Sequence, residues 1–111
     1  MATLDEQIQL AERIAKDLTE VTRNEWMRWM QVASRKGIEY AVRYAQRLST
    51  DMTMRPAIQR ANRLIAQSVA KHGNVLKSLA SREREAVLGY VGWWLSVKTL
   101  RGSPASREDR P

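Results

Sequence analysis

Apolar positions recur at helical spacing from the start of the chain. Between residues 4 and 21 they return every three or four positions behind Thr3-x-x-Glu6, the form of a capping box, which predicts a first helix over residues 4–21. Thr22-x-x-Glu25 repeats this signature, so a second helix is expected to begin there and to continue to Leu48. A single bent helix from residue 4 to Leu48 is the alternative.

The second half of the chain carries its own start and stop signals. Pro56 opens a third helix that is expected to end at Gly73-Asn74, and Ser81 is expected to cap a last helix. Residues 102–111 contain little to bury and are predicted to form a polar tail. The predicted fold is all-α: one helical domain over residues 1–101, built as a bundle of about four helices with short connections.

The composition excludes several kinds of chemistry. Cys is absent, which rules out disulfides and thiolate metal sites, and His72 is the only histidine. The close carboxylates lie at helix starts or in the tail, where the helix dipole and solubility explain them. Because no nucleophile, base and orienting group can be combined, we expect no catalytic residue, no metal site, no cofactor and no enzymatic activity.

The sequence also lacks the features of a membrane or secreted protein. No run approaches the roughly 18 to 20 apolar residues that span a bilayer. Residues 1–6 do not have the basic and then apolar layout of a signal peptide. We therefore expect a soluble protein that is not secreted and has no transmembrane segment.

Positive charge is concentrated in the middle of the chain, whose formal net charge is +7. Residues 26–80 hold ten basic side chains against only Glu39 and Asp51, whereas residues 1–25 are net acidic. Solvated helices usually mix acidic and basic residues in i,i+4 pairs, and this segment hardly does so. Such an imbalance favours a polyanionic partner.

On a helical wheel, residues 26–48 separate into an apolar face and a cationic face, the latter about 30 Å long. Trp26, Trp29, Tyr40 and Tyr44 fall between the two faces, where their rings could pack under the cations or stack on sugars or bases. Binding to a membrane surface or an acidic protein, and a plain solvated surface, remain alternatives. Arg suits bidentate phosphate contact, so the candidate nucleic-acid-binding residues are Arg28, Arg35, Lys36, Arg43, Arg47, Arg60, Arg63 and Lys71.

Residues 86–95 are apolar on every side of the predicted last helix. A helix of this kind is buried on every side, either as a central core helix or with one side against another subunit. For the second alternative the candidate interface residues are Tyr90, Trp93 and Trp94, and the protein is then expected to self-associate or to pair with a related sister subunit.

A short, Cys-free, basic, all-helical chain with these features resembles the coat proteins of filamentous and rod-shaped archaeal viruses. The resemblance lies in the Arg-bearing helices Trp26–Leu48 and Pro56–His72 and in the run Gly89-Tyr90-Val91-Gly92-Trp93-Trp94. It implies a viral major capsid protein whose subunits, paired as homodimers or as two related proteins, wrap A-like double-stranded DNA in a helical filament. It also implies assembly in the host cytoplasm and localisation in the virion, with or without envelope lipid. The acidic first helix departs from the basic arm with which several such coats begin.

Two other functions remain open. The small helical subunit of type III CRISPR ribonucleoprotein complexes is similar in size, helicity and basic surface and lines a guide–target duplex, although its Leu-Pro and Asn-Gly-Leu segments are not found here. A basic protein–protein adaptor that meets an acidic partner is the third alternative. The bound nucleic acid is either DNA or RNA, with double-stranded DNA favoured by the resemblance.

Overall fold

The computed structural model describes the backbone of residues 2–102 and the side chains of residues 2–97. In that part of the chain every regular element is a helix, which confirms the all-α prediction. Six helices follow one another rather than about four: α1 Leu4–Lys16, α2 Arg23–Lys36, α3 Ile38–Ser49, α4 Pro56–Lys71, α5 Gly73–Ser78 and α6 Ser81–Gly102. Apart from Gly102, the predicted polar tail lies outside the described residues.

The first two helices begin at the predicted capping boxes. Thr3 Oγ1 accepts a hydrogen bond from the Glu6 N–H at 3.1 Å, and Glu6 Oε1 accepts one from the Thr3 N–H at 2.8 Å. Thr22 and Glu25 repeat this reciprocal pair at 3.2 and 2.9 Å. Each box satisfies two backbone N–H groups that the helix leaves unpaired, so these starts depend on local sequence alone.

The end of α1 differs from the prediction, because the helix stops at Lys16 instead of continuing to residue 21. Leu18 and Val21 are nevertheless buried, at 0% and 4% exposure, so the apolar stripe continues into a turn that is no longer helical. Asp17 at the C-cap accepts a hydrogen bond from Ser68 Oγ at 2.9 Å. This contact attaches the turn to α4, and tertiary packing therefore overrides helical periodicity.

The predicted second helix is broken at Gly37 into α2 and α3. Gly37 has φ 95° and ψ 160°, a conformation that strains any residue with a side chain. Beyond it the chain folds back, since Trp29 Nε1 donates to the Ala41 carbonyl at 2.9 Å, whereas 12 residues of continuous helix would separate them by about 18 Å. The continuous cationic face of about 30 Å predicted over residues 26–48 is therefore wrong, as is the single bent helix.

This break also changes which side of α2 is buried. The apolar sector predicted for residues 26–48 is the one that α3 buries through Ala41 and Ala45. On α2 the buried residues are instead Trp26, Trp29 and Ala33. The two indole rings, whose centroids lie 5.0 Å apart, are core residues and are not available to stack on nucleic acid.

The helices pack as two pairs joined by α2. α1 lies along α6, α3 lies along α4, and α2 contacts both α3 and α6. Trp26 Nε1 donates to the Leu88 carbonyl at 2.9 Å and fixes α2 on α6, where the indole packs beside Gly92. The resulting body measures 48 × 38 × 20 Å, about two helix diameters thick, so α2, α3 and α4 each keep one side exposed.

The remaining helix ends lie close to their predicted positions, with two local differences. α4 starts at Pro56 as predicted, but it ends at Lys71, and Gly73 begins the short helix α5 instead of terminating α4. Ser81 is the first residue of α6 rather than its cap, and Glu83 Oε1 accepts a hydrogen bond from the Ala80 N–H at 3.1 Å.

Candidate nucleic-acid interface

One exposed face of α3 combines two tyrosines with two arginines. Tyr40, Arg43, Tyr44 and Arg47 follow the i, i+3, i+4, i+7 spacing that places residues on the same side of a helix. All four are exposed, with 45% of Tyr40 and 36% of Tyr44 accessible. We call these four residues the α3 face.

Small buried residues on the opposite side of α3 orient the helix so that the α3 face points to solvent. Ala41 and Ala45 are fully buried and allow α3 to lie close to α4 and α2. Trp29 stabilises the arrangement through its hydrogen bond to the Ala41 carbonyl. The orientation of the α3 face is therefore set by packing and does not depend on the arginines.

Helix α2 brings further cations to the edge of α3. Arg28 and Arg35 are exposed and lie seven residues apart, on one side of α2. Lys36 lies at the end of α2, and its Nζ is 5.8 Å from the centroid of the Tyr40 ring, within cation–π range. This contact links the last residue of α2 to the α3 face across Gly37.

The predicted cations of α4 divide into two kinds. Arg60 Nε lies 3.1 Å from Glu20 Oε1, and Lys71 Nζ lies 3.5 Å from Asp17 Oδ2, so both face acids of the segment between α1 and α2. Arg63 has no ion pair within the described residues. Because Arg60 and Lys71 already have acidic neighbours, a phosphate gains less from them than from Arg63.

All eight predicted cations are exposed, and six of them form no ion pair in the described part of the chain, although the charge of Arg43 interacts with that of Glu39. Arg55, at the N-cap of α4, is a seventh such cation that sequence reasoning did not include in the site. Its position directly before Pro56 was the signal, since the helix start fixes its place beside the end of α3. The seven are Arg28, Arg35, Lys36, Arg43, Arg47, Arg55 and Arg63.

The two acids of the basic middle segment are engaged by neighbours. Lys77 Nζ lies 2.9 Å from Glu39 Oε2, and this hydrogen bond and charge lower the pKa of Glu39. The hydroxyl and N–H of Thr53 donate to Asp51 Oδ1 and lower the pKa of that carboxyl. Neither carboxylate forms an ion pair with an arginine of the α3 face.

A groove of about 420 Å³ lies where α2, α3 and the start of α4 meet. Arg28, Tyr44 and Arg55 are exposed and form its rim, whereas Asn62 and Trp29 are buried at its base. Arg28 and Tyr44 would lie about 24 Å apart on a continuous helix. Only the reversal of the chain at Gly37 brings them together, so the sequence could not reveal this groove.

The three predicted interface residues of α6 have different environments. Trp93 is 57% exposed, whereas Tyr90 and Trp94 are half-buried. The Trp93 and Trp94 rings meet edge to face at 5.1 Å, and the buried Trp94 Nε1–H has no acceptor within the described residues. The opposite side of α6 is core, so the helix is buried on one side only.

Other chemistry is sparse in the described residues. No group of three or more His, Asp or Glu side chains could hold a metal ion there. His72 caps the end of α4, and its Nε2 lies 3.6 Å from Asp17 Oδ2. No helix in the described range is both long and apolar enough to cross a bilayer.

Comparison with known proteins found no relative of this chain. No protein-family model, no curated protein and no solved structure gave a significant match.

Proposed function

We propose that the protein is a structural nucleic-acid-coating protein that grips the sugar–phosphate backbone through the α3 face and the neighbouring arginines of α2 and α4. One observation carries the proposal: seven exposed cations of α2, α3 and α4 form no ion pair within the described residues, and two exposed tyrosines of α3 accompany them. Planar guanidinium groups contact phosphate oxygens in pairs, and phosphate contacts position a protein without selecting a sequence.

Double-stranded DNA is the proposed ligand, and a viral coat that wraps it in a helical filament within a virion is the proposed setting. This part of the proposal rests on the resemblance to archaeal filamentous and rod-shaped virus coats. The exposed Trp93 supports repeated contact between subunits, since exposed indoles concentrate at protein interfaces. The contact would join two identical chains or this chain and a related subunit.

The salt dependence of binding tests the backbone-binding proposal. Each phosphate neutralised on duplex DNA contributes about 0.9 to the slope of log K against log salt, so seven contacts give a slope of about −6. We expect this slope on duplexes of unrelated sequence, with affinities that differ little between them. A slope near zero, or strong preference for one short sequence, would show that the cations do not bind the backbone.

A further inference from the structure

The groove between α2, α3 and α4 differs from a phosphate site in the chemistry of its lining. Its buried and half-buried residues are mainly apolar, among them Leu48 and Ile58, whereas the cations Arg28 and Arg55 stay at the exposed rim. Glu25 also lines it, and its carboxylate opposes the entry of a phosphate. A planar, uncharged group with polar edges matches this lining better than an anion does.

We propose that this groove binds one unpaired nucleobase of a bound nucleic acid strand, stacked on the Tyr44 ring. The inference rests on the backbone-binding part of the proposed function, because Arg28, Arg55 and Arg47, one turn beyond Tyr44, hold the phosphates on either side of the base. It concerns a single-stranded stretch and not the double-stranded DNA proposed for the filament. The volume of about 420 Å³ lies within the range of small-molecule sites, about 300–1,000 Å³. A base in a duplex cannot enter, because its faces are stacked and its pairing edge is occupied.

The polar groups of the groove suit the edge of a base. Asn62 is 8% exposed and lines the groove, with its Nδ2 donating to the Ile58 carbonyl at 2.9 Å. Asn24 of α2 lines the same groove from the other side. Amide groups can both donate and accept, so they tolerate more than one base, and stacking on an aromatic ring is similarly tolerant.

Two oligonucleotides separate base binding from phosphate binding. One is oligo-dT about 12 nucleotides long, and the other is an abasic strand of the same length, which keeps every phosphate and lacks every base. Stacking contributes about 1–3 kcal/mol per base, which corresponds to about 5- to 150-fold in affinity. We therefore expect oligo-dT to bind the wild-type protein at least about 5-fold more tightly than the abasic strand.

Variants of the two exposed tyrosines test whether the preference for oligo-dT over the abasic strand depends on the Tyr44 ring. Tyr44→Ala is expected to bring the ratio of the two affinities close to one, while Tyr44→Phe, which keeps the ring, retains it. Tyr40→Ala is the comparison variant, because Tyr40 belongs to the same exposed face but does not line the groove; it is expected to keep the ratio of the two affinities, whatever its effect on the affinity for either strand. Circular dichroism on each preparation confirms that the helices are intact.

The outcomes distinguish this inference from the proposed function. Equal, salt-dependent binding of oligo-dT and the abasic strand by the wild type would overturn the base site and leave backbone binding in place. If Tyr40→Ala and Tyr44→Ala both reduced the ratio of oligo-dT affinity to abasic-strand affinity equally, the bases would stack on the open α3 face, and the groove would not be the base site. Failure to bind either strand or duplex DNA would overturn the proposed function itself.

Discussion

Reversing the two arginines of the α3 face is the most direct perturbation of the candidate interface. Arg43 and Arg47 are exposed, one turn apart, and free of ion pairs within the described residues. The buried side of α3 is formed by Ala41 and Ala45, so Arg43→Glu with Arg47→Glu opens no cavity. The double change should therefore act on binding and leave the fold intact.

The expected magnitudes differ widely for stability and binding. Exposed substitutions of this kind usually change stability by less than about 0.5 kcal/mol each. Hydrogen bonds to charged groups contribute about 1.5–3 kcal/mol each, so losing two phosphate contacts costs at least about 3 kcal/mol, or more than about 100-fold in affinity. Repulsion from the new carboxylates adds to this loss, and the salt slope should become shallower by about 2.

The assay compares duplex-DNA affinity over a range of salt with circular dichroism on the same preparation. Lys16→Glu with Arg82→Glu is the matched control, because it changes net charge equally on α1 and α6. Each pair contains one last-turn residue, Arg47 in α3 and Lys16 in α1, whereas Arg82→Glu places an acid in the first turn of α6, where the helix dipole favours it. The control should keep its affinity within a few-fold.

Two results would refute the reasoning. If the Arg43/Arg47 variant lost its helices, those arginines would hold the fold through contacts that the exposed α3 face does not suggest. If it stayed helical and bound DNA with the wild-type affinity and salt slope, the nucleic acid would lie on another face. A control variant that lost affinity equally would mean that net charge alone governs binding.

Three further changes test individual features. Gly37→Ala should cost about 1–3 kcal/mol of stability and lower Tm by several degrees, because φ of Gly37 is 95°. Gly89→Ala is the control, since a Cβ there meets no neighbouring atom, and it should not lower Tm. Equal Tm values for the two variants would contradict backbone strain at position 37. Trp93→Ser should abolish self-association in sedimentation with little loss of stability, and a wild type that stays monomeric at high concentration would exclude this interface. Because Lys77 lowers the pKa of Glu39, this carboxylate stabilises the fold at pH values above its ordinary pKa of 4.5, and the contribution is lost as pH falls through the lowered pKa. Glu39→Gln should therefore make the free energy of unfolding depend less on pH in that window. A pH dependence of stability equal to that of the wild type would show no role for the Lys77 contact.

The sequence by itself determined the features that depend on neighbouring residues. The capping boxes at Thr3 and Thr22 and the Pro56 start were predictable because each satisfies or avoids backbone N–H groups within one turn. The exposure of the eight predicted cations followed equally from the high cost of burying an unpaired charge. All-α architecture is the sum of these local signals.

Only the tertiary structure decided how the cations are grouped. The reversal at Gly37 placed Arg28 beside Tyr44 and buried Trp26 and Trp29, although helical periodicity alone had placed these residues on one continuous helix. Arg60 met Glu20 across 40 residues of chain, so its charge is partly neutralised by a contact that no local pattern encodes. Periodicity reports the direction of a side chain around its own helix, whereas pairing between helices depends on where the chain turns.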